Sequence, residues 1–337
     1  MLSFLRSLFV KSPICLAPRA ADLCQREGIP MPEVSLSLRG GFPHLDLHGL
    51  WPLAEAESDE RKRELIFQTA QLQWLEALLP VFGESWTLSH QPECWFLLAA
   101  PPTENDGKRR LLMDLAAKII GEMNHDFPSL FKPQGCGFIV VLLFTDHELY
   151  YRYVESFENG HPLLSGGMFC GGRNPHILIN GSYQGSAEAT LIHELAHLLL
   201  HHRQLPLWLD EALAMAVERR FGSRSLHLVD GADELRQHLS LWNERSIQDF
   251  WSGRSWQEDQ DLMSASYFLA HLLLERLLSF LGGDRRRFEA FASTAKWHDG
   301  GAAACLEVCG TSLGSLISLI LGTGEWEPLS YNADPAD

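Results

Sequence analysis

The sequence predicts an α+β fold: a small mixed sheet packed on one buried helix, with a mainly helical C-terminal part. Three observations predict it. Short runs rich in β-branched and aromatic residues, bounded by turn signals, all fall before residue 181. Longer stretches with helix-start and helix-stop signals dominate from residue 187 onward. One of these, around Leu191–Leu200, is apolar nearly all round, which demands burial.

The elements follow in order. Residues 1–55 are punctuated by Pro and Gly and read as irregular. Glu60 to Leu79 reads as a helix that starts after Ser58 and Asp59 and is stopped by Pro80. Trp86–His90 and Cys94–Ala99 read as strands around Gln91-Pro92, and Pro101–Gly107 as a polar loop. Lys108–Met123 is a helix with Leu112, Leu115 and Ile119 on one face. Phe138–Phe144 is a seven-residue apolar run, the signature of a buried strand. Asp146 is placed to cap a helix reaching Phe157. The glycine-rich Gly166–Gly172 holds a short strand, and His176–Asn180 another. Ser186 then caps the apolar helix, with Glu188 in its first turn. Pro206 ends that helix, and Trp208–Phe221 is a second one. Asp261–Leu281 is a long apolar helix ending at Gly282-Gly283.

The chemistry concentrates in His193-Glu194-Leu195-Ala196-His197, with Glu211 fourteen residues beyond His197. Residues four apart share a helix face, so both imidazoles can reach one ion. Glu194 lies about 100° round from His193, near enough to hold a water without being a ligand. The helix-borne H-E-x-x-H pattern supplies two zinc ligands and a base for this reason. Zinc chemistry needs a third protein ligand and an open position, and an antiparallel second helix brings Glu211 into range. The residues alone leave alternatives. His193 and His197 could be core histidines with ordinary partners, and Glu211 and Asp210 could be first-turn acidic residues favoured by the helix dipole. His201 lies on the arc of His193 and suits the rim; His202 faces away.

Leu191-Ile192-His193-Glu194-Leu195-Ala196-His197, followed by Leu205-Pro206-Leu207-Trp208-Leu209-Asp210-Glu211-Ala212-Leu213-Ala214, resembles the gluzincin metallopeptidases. It is most similar to the small peptidase MA-like domains, whose pattern reads H-E-x-x-H and then L-P-x-W-L-x-E-G-x-A. The resemblance spans roughly residues 86–324. Ala212 stands where the pattern has Gly, and Met215 where thermolysin-like members place an Asp that orients the first His. The orienting partner of His193 is therefore unassigned.

The resemblance implies a gluzincin or thermolysin-like fold with an active-site helix. It implies one Zn2+ per chain, held by His193, His197 and Glu211. The implied reaction is hydrolysis of peptide bonds by metal-activated water, with Glu194 as general base. Tyr267, in the Tyr267–Leu273 stretch of the long helix, is the implied oxyanion donor; His271, on the same face, is its rival. In such domains the strand before the active-site helix lies at a sheet edge and pairs with substrate, a role that falls here on Gly171–Asn180; the other reading is an ordinary structural strand. The implied division is a 1–80 N-terminal extension, an 81–324 peptidase domain and a 325–337 acidic tail. Two other readings stay open: a catalytically silent gluzincin-like domain that binds peptides or protein partners, and a closed structural zinc site with a fourth protein ligand.

Composition bounds the partners. A net charge of −16 argues against nucleic acid, which attracts a basic footprint. Neither phosphate-loop glycine pattern nor a G-x-S-x-G element is present. Seven cysteines form no C-x-x-C pair, so reduced and mostly buried thiols in the cytoplasm are expected. No run reaches the roughly 18 apolar residues of a membrane span. Met1–Val10 has the wrong charge order for a secretory signal, leaving a weak amphipathic membrane contact as its one membrane role.

Overall fold

The computed structural model describes residues 15–83, 86–91, 96–101, 106–132, 137–157, 166–183, 186–222, 232–257 and 260–329. The N-terminal ten residues, Cys94, Cys136 and the tail from residue 330 lie outside that set. The architecture is α+β, with a mixed sheet and a helical C-terminal part. The chain forms two compact units: Met1–Gly121 with Gly135–Leu191, and Glu122–Gln134 with Ile192–Asp337.

The first unit opens with β1 (Cys15–Leu16), α1 (Ala20–Glu27) and a hairpin of β2 (Leu36–Arg39) and β3 (Phe42–Leu45). α2 (Trp51–Ala56) and α3 (Glu60–Phe82) follow. The region expected to be irregular thus carries two helices and a hairpin. The hairpin turns through Gly40 and Gly41, with φ of 57° and 87°, a conformation that favours glycine. α3 also runs past Pro80, where a stop was expected. Proline's fixed φ suits a helix, so the loss is one backbone bond near the end. The last residue, Phe82, is buried and packs on Phe144 at 5.2 Å, which holds that turn in place.

β4 (Thr87–Gln91), β5 (Phe96–Ala100), α4 (Asp106–Asp126), β6 (Ile139–Phe144) and α5 (His147–Glu155) come next. Asp146 caps α5 by accepting from the Glu148 and Leu149 amides. β7 (Gly167–Cys170) and β8 (His176–Asn180) complete a sheet of order β1-β4-β5-β6-β8-β7. β5, β6 and β8 are parallel neighbours, and every described residue in them is buried. Their apolar runs do not alternate because both faces are covered. β8 lies between β6 and β7, so the strand before the H-E-x-x-H helix is an inner strand; the edge belongs to β7. β7 pairs antiparallel along one side of β8, which supplies the cover the expectation lacked. Trp74, Leu75 and Leu78 of α3 join Phe42, Phe144, Tyr150 and Tyr153 in this unit's core.

α6 (Ala187–Leu200) begins in the first unit and continues into the second. α7 (Leu207–Arg220), α8 (Ala232–Ser240), α9 (Ser246–Trp251), α10 (Gln260–Phe280) and α11 (Arg285–Thr294) follow. The short α12 (Ala302–Ala304), a π turn over Cys305–Cys309, and α13 (Leu313–Leu321) close the chain. α7 packs along α10. Trp208 donates its indole N–H to the Gly300 carbonyl at 2.8 Å, and Trp251 donates to the Trp326 carbonyl at 2.9 Å. Cys24, Cys170, Cys305 and Cys309 are buried and form no disulfide. No single described helix is long and apolar enough to cross a membrane. Ala302–Cys309 and Leu313–Leu321 reach that composition only as a pair bent by 94°, and Leu313, Leu316 and Ile317 of it are buried in the fold.

Candidate metal centre

α6 carries His193 and His197 one turn apart on a helix whose Leu195, Ala196, Leu198, Leu199 and Leu200 are buried. The α-helix stops at Leu200, five residues short of the Leu205 expected from Pro206. A 3-10 turn over His201–Arg203 replaces its last stretch, and Gln204 takes a left-handed conformation with φ of 50°. Among the described residues Gln204 is the one non-glycine with positive φ. Pro206 then precedes α7, its carbonyl accepting from the Leu209 and Asp210 amides.

This reversal brings three donor atoms together. His193 Nε2 and His197 Nε2 lie 2.9 Å apart. Glu211 Oε2 is 3.3 Å from the first and 3.5 Å from the second. Atoms bound about 2.0–2.1 Å from a tetrahedral ion are about 3.3–3.4 Å from one another, so the triangle fits such an ion. Glu211 Oε2 is buried and accepts no hydrogen bond, so it is free to bind a cation. Among the described residues, His193, His197 and Glu211 are the one group that could hold a metal ion, and it has no fourth protein member.

The opposite ring nitrogens fix the tautomers. His193 Nδ1 meets Glu218 Oε1 at 2.5 Å, and His197 Nδ1 meets Asp210 Oδ2 at 2.7 Å. An ionised carboxylate only accepts, so both Nδ1 atoms carry a proton, and in the neutral form of each ring the Nε2 atom presents its lone pair to the shared point. Glu218 is the partner of His193 that the sequence left unassigned. It lies seven residues after Glu211, two helical turns along nearly the same face. Met215, four residues after Glu211, is wholly buried instead. The spacing of seven was the available signal.

The charges are mutually adjusted. Burial alone would lower the His193 imidazole, but the neighbouring carboxylates of Glu211 and Glu218 push it up to about 10. His197 is likewise raised against its burial by Asp210 and Glu211. Burial would raise the Glu211 carboxyl, but His197 and His193 hold it well below the usual carboxylate range.

Glu194 is half-buried on α6 beside this group. Tyr267 lies on α10, its ring 6.2 Å from that of Trp256. Burial raises its phenol well above the ordinary value, and the charges of Glu211, Glu194 and Glu218 raise it further. Tyr267 therefore lies within electrostatic range of the same acidic group and keeps its O–H as a donor at neutral pH. His271 is engaged elsewhere: Arg219 Nη1 is 3.0 Å from its Nε2, with Glu275 at 3.3 Å. His201 is partly buried in the 3-10 turn and senses the charge of Asp210. No family model matches the chain, and no curated protein matches it.

Proposed function

We propose that this protein is a zinc-dependent peptidase. The observation that carries the reading is the converging triangle of His193 Nε2, His197 Nε2 and Glu211 Oε2, with both rings held by carboxylates at Nδ1. Two imidazoles and one carboxylate in a compact, buried triangle form a donor set suited to zinc with an open position. A zinc ion held there supplies Lewis acidity, acidifying water and polarising a carbonyl.

The chain's own residues supply the rest. Glu194 follows His193 directly and belongs to none of the three donors, so its carboxylate is the base that takes the proton of the attacking water. It then passes that proton to the leaving amine. Tyr267, protonated at neutral pH, donates a hydrogen bond to the oxyanion as it develops. Asp210 and Glu218 keep the imidazoles in one tautomer and one orientation throughout.

Metal analysis of the purified chain and peptide hydrolysis, read together, test this. Wild type is expected to hold about one zinc per chain, and His193→Ala to lose it. Glu194→Gln is expected to keep the metal and lose about 100-fold or more in rate. An unchanged Glu194→Gln rate would end the mechanism. A zinc-loaded wild type that cleaves nothing in a diverse peptide mixture would favour the silent peptide-binding domain.

A further inference from the structure

A cavity of about 560 Å3 lies within the first unit, apart from the metal-binding group. That volume is in the ordinary range for a small-molecule site. Part of its wall is aromatic: His44 of β3, Trp74 of α3, His176 of β8 and Phe157 just beyond α5. These rings pack in a chain. The Phe157 ring is 4.2 Å from that of His44 and 5.3 Å from that of His176, and Trp74 is 5.1 Å from His176.

The ring nitrogens on this wall are spent, with one exception. Trp74 donates its indole N–H to the Pro43 carbonyl at 2.9 Å. His176 Nδ1 donates to the Asn174 carbonyl at 2.7 Å, and its Nε2 accepts from the Tyr153 hydroxyl at 3.3 Å. The Ser156 hydroxyl donates to the Tyr153 carbonyl at 2.6 Å, so His44 Nε2 is the donor to Ser156 Oγ at 2.9 Å. A neutral imidazole carries one proton, which leaves His44 Nδ1 with a bare lone pair. His44 is only 8 % exposed, yet its Nδ1 is not among the polar atoms sealed from solvent. It has no hydrogen-bond partner among the described residues, and the opening it reaches is the cavity.

The chemistry of an occupant follows from that atom. Burial above all, and then the charge of Arg39, hold the His44 imidazole down to about 4, so Nδ1 accepts and does not donate at neutral pH. The charge that opposes a proton on the ring also opposes an ammonium beside it. A carboxylate has no donor and would set its own lone pairs against that of Nδ1. Water can donate there, but the aromatic surface of Phe157 offers it nothing further, and displacing loosely held water with an apolar group gains affinity.

We infer that this cavity binds a small uncharged aromatic molecule that donates one hydrogen bond, a phenol being the simplest: the hydroxyl meets His44 Nδ1 and the ring lies against Phe157.

The test is a nuclear magnetic resonance titration of the full chain with isotope-labelled histidine nitrogens. It follows the His44 Nδ1 signal, which His44→Gln identifies by its loss. A bare imidazole nitrogen resonates far from a protonated one and moves when it accepts a hydrogen bond. Phenol is expected to shift this signal saturably. Anisole, the same ring with a methyl ether in place of the donor, is expected to bind about ten-fold more weakly, the scale of one hydrogen bond, and to leave the signal in place. Benzoate is expected to bind more weakly than phenol. The comparison of affinities among the three needs no variant. Failure of phenol to bind by about 10 mM would leave water as the partner of His44 and overturn the site. Equal affinities for phenol and anisole would overturn it too. So would benzoate binding more tightly than phenol, which would make Arg39 rather than His44 the determinant.

Discussion

Glu218 holds His193 through the Nδ1 hydrogen at 2.5 Å, although neither touches the other in sequence and Glu218 is not one of the three converging donors. A ring so held keeps its Nε2 lone pair aimed at one point. Glu218→Ala is therefore expected to weaken zinc binding about 10- to 100-fold while leaving all three donors in place. Competition against a chromophoric chelator reads this directly. An unchanged affinity would mean that packing alone orients the ring.

Burial, and then the charges of Glu211, Glu194 and Glu218, keep the phenol of Tyr267 protonated. Tyr267→Phe removes only the hydroxyl. We expect zinc content and fold to be unchanged and kcat to fall about 10²- to 10³-fold, the scale of one lost oxyanion donor. Equal losses in zinc content and kcat would assign the residue to the frame of the site instead.

His44 and His176 are both held neutral, at about 4, by burial above all; Arg39 adds to the effect at His44, and the charge of His44 at His176. The unfolded chain takes up these protons from about pH 6.5 downward while the folded chain resists until about pH 4. Their contribution to stability is thus complete above about pH 6.5 and is lost progressively as pH falls towards 4. For the fully enclosed His176 the loss is on the order of 3 kcal/mol. Urea unfolding at several pH values is expected to show a flatter acid limb in His176→Gln than in wild type. Parallel limbs would refute the assignment.

Gly253 has φ of 79°, and an added Cβ would approach Leu207 Cδ2 at 2.9 Å. The leucine end can swing, so backbone strain dominates, and Gly253→Ala is expected to cost about 1–2 kcal/mol. Thermal melts measure that loss. Because Leu207 opens α7, which carries Glu211, zinc affinity should fall with it; a melt shift without an affinity shift would show that α7 absorbs the displacement.

Where a segment's signals were local, the sequence was readable. β6 and β8 announced themselves as apolar runs, α5 by the Asp146 cap, and α7 by Pro206 and its apolar stripe. The grouping of His193, His197 and Glu211 was legible because a helix turns spacing into direction. The hairpin escaped notice because β2 is exposed over three of its four residues and shows no buried alternation. The end of α6 was hidden because no Gly or Pro lies between Leu200 and Pro206, and Gln204 accepts the left-handed turn that glycine usually takes. The place of β8 inside the sheet depends on pairing with β7, a non-local choice that no single strand encodes.

The 3-10 turn and Gln204 have one further consequence. Between His197 and Glu211 the chain acts as a ruler: each residue gained or lost would rotate Glu211 by about 100° around α7 and slide it about 1.5 Å. Glu211 would leave the two histidines, and Asp210 and Glu218 would leave their ring nitrogens in the same step. Side chains in this short reversal can vary in identity, but its length is the measurement on which the three donors and both their supports depend.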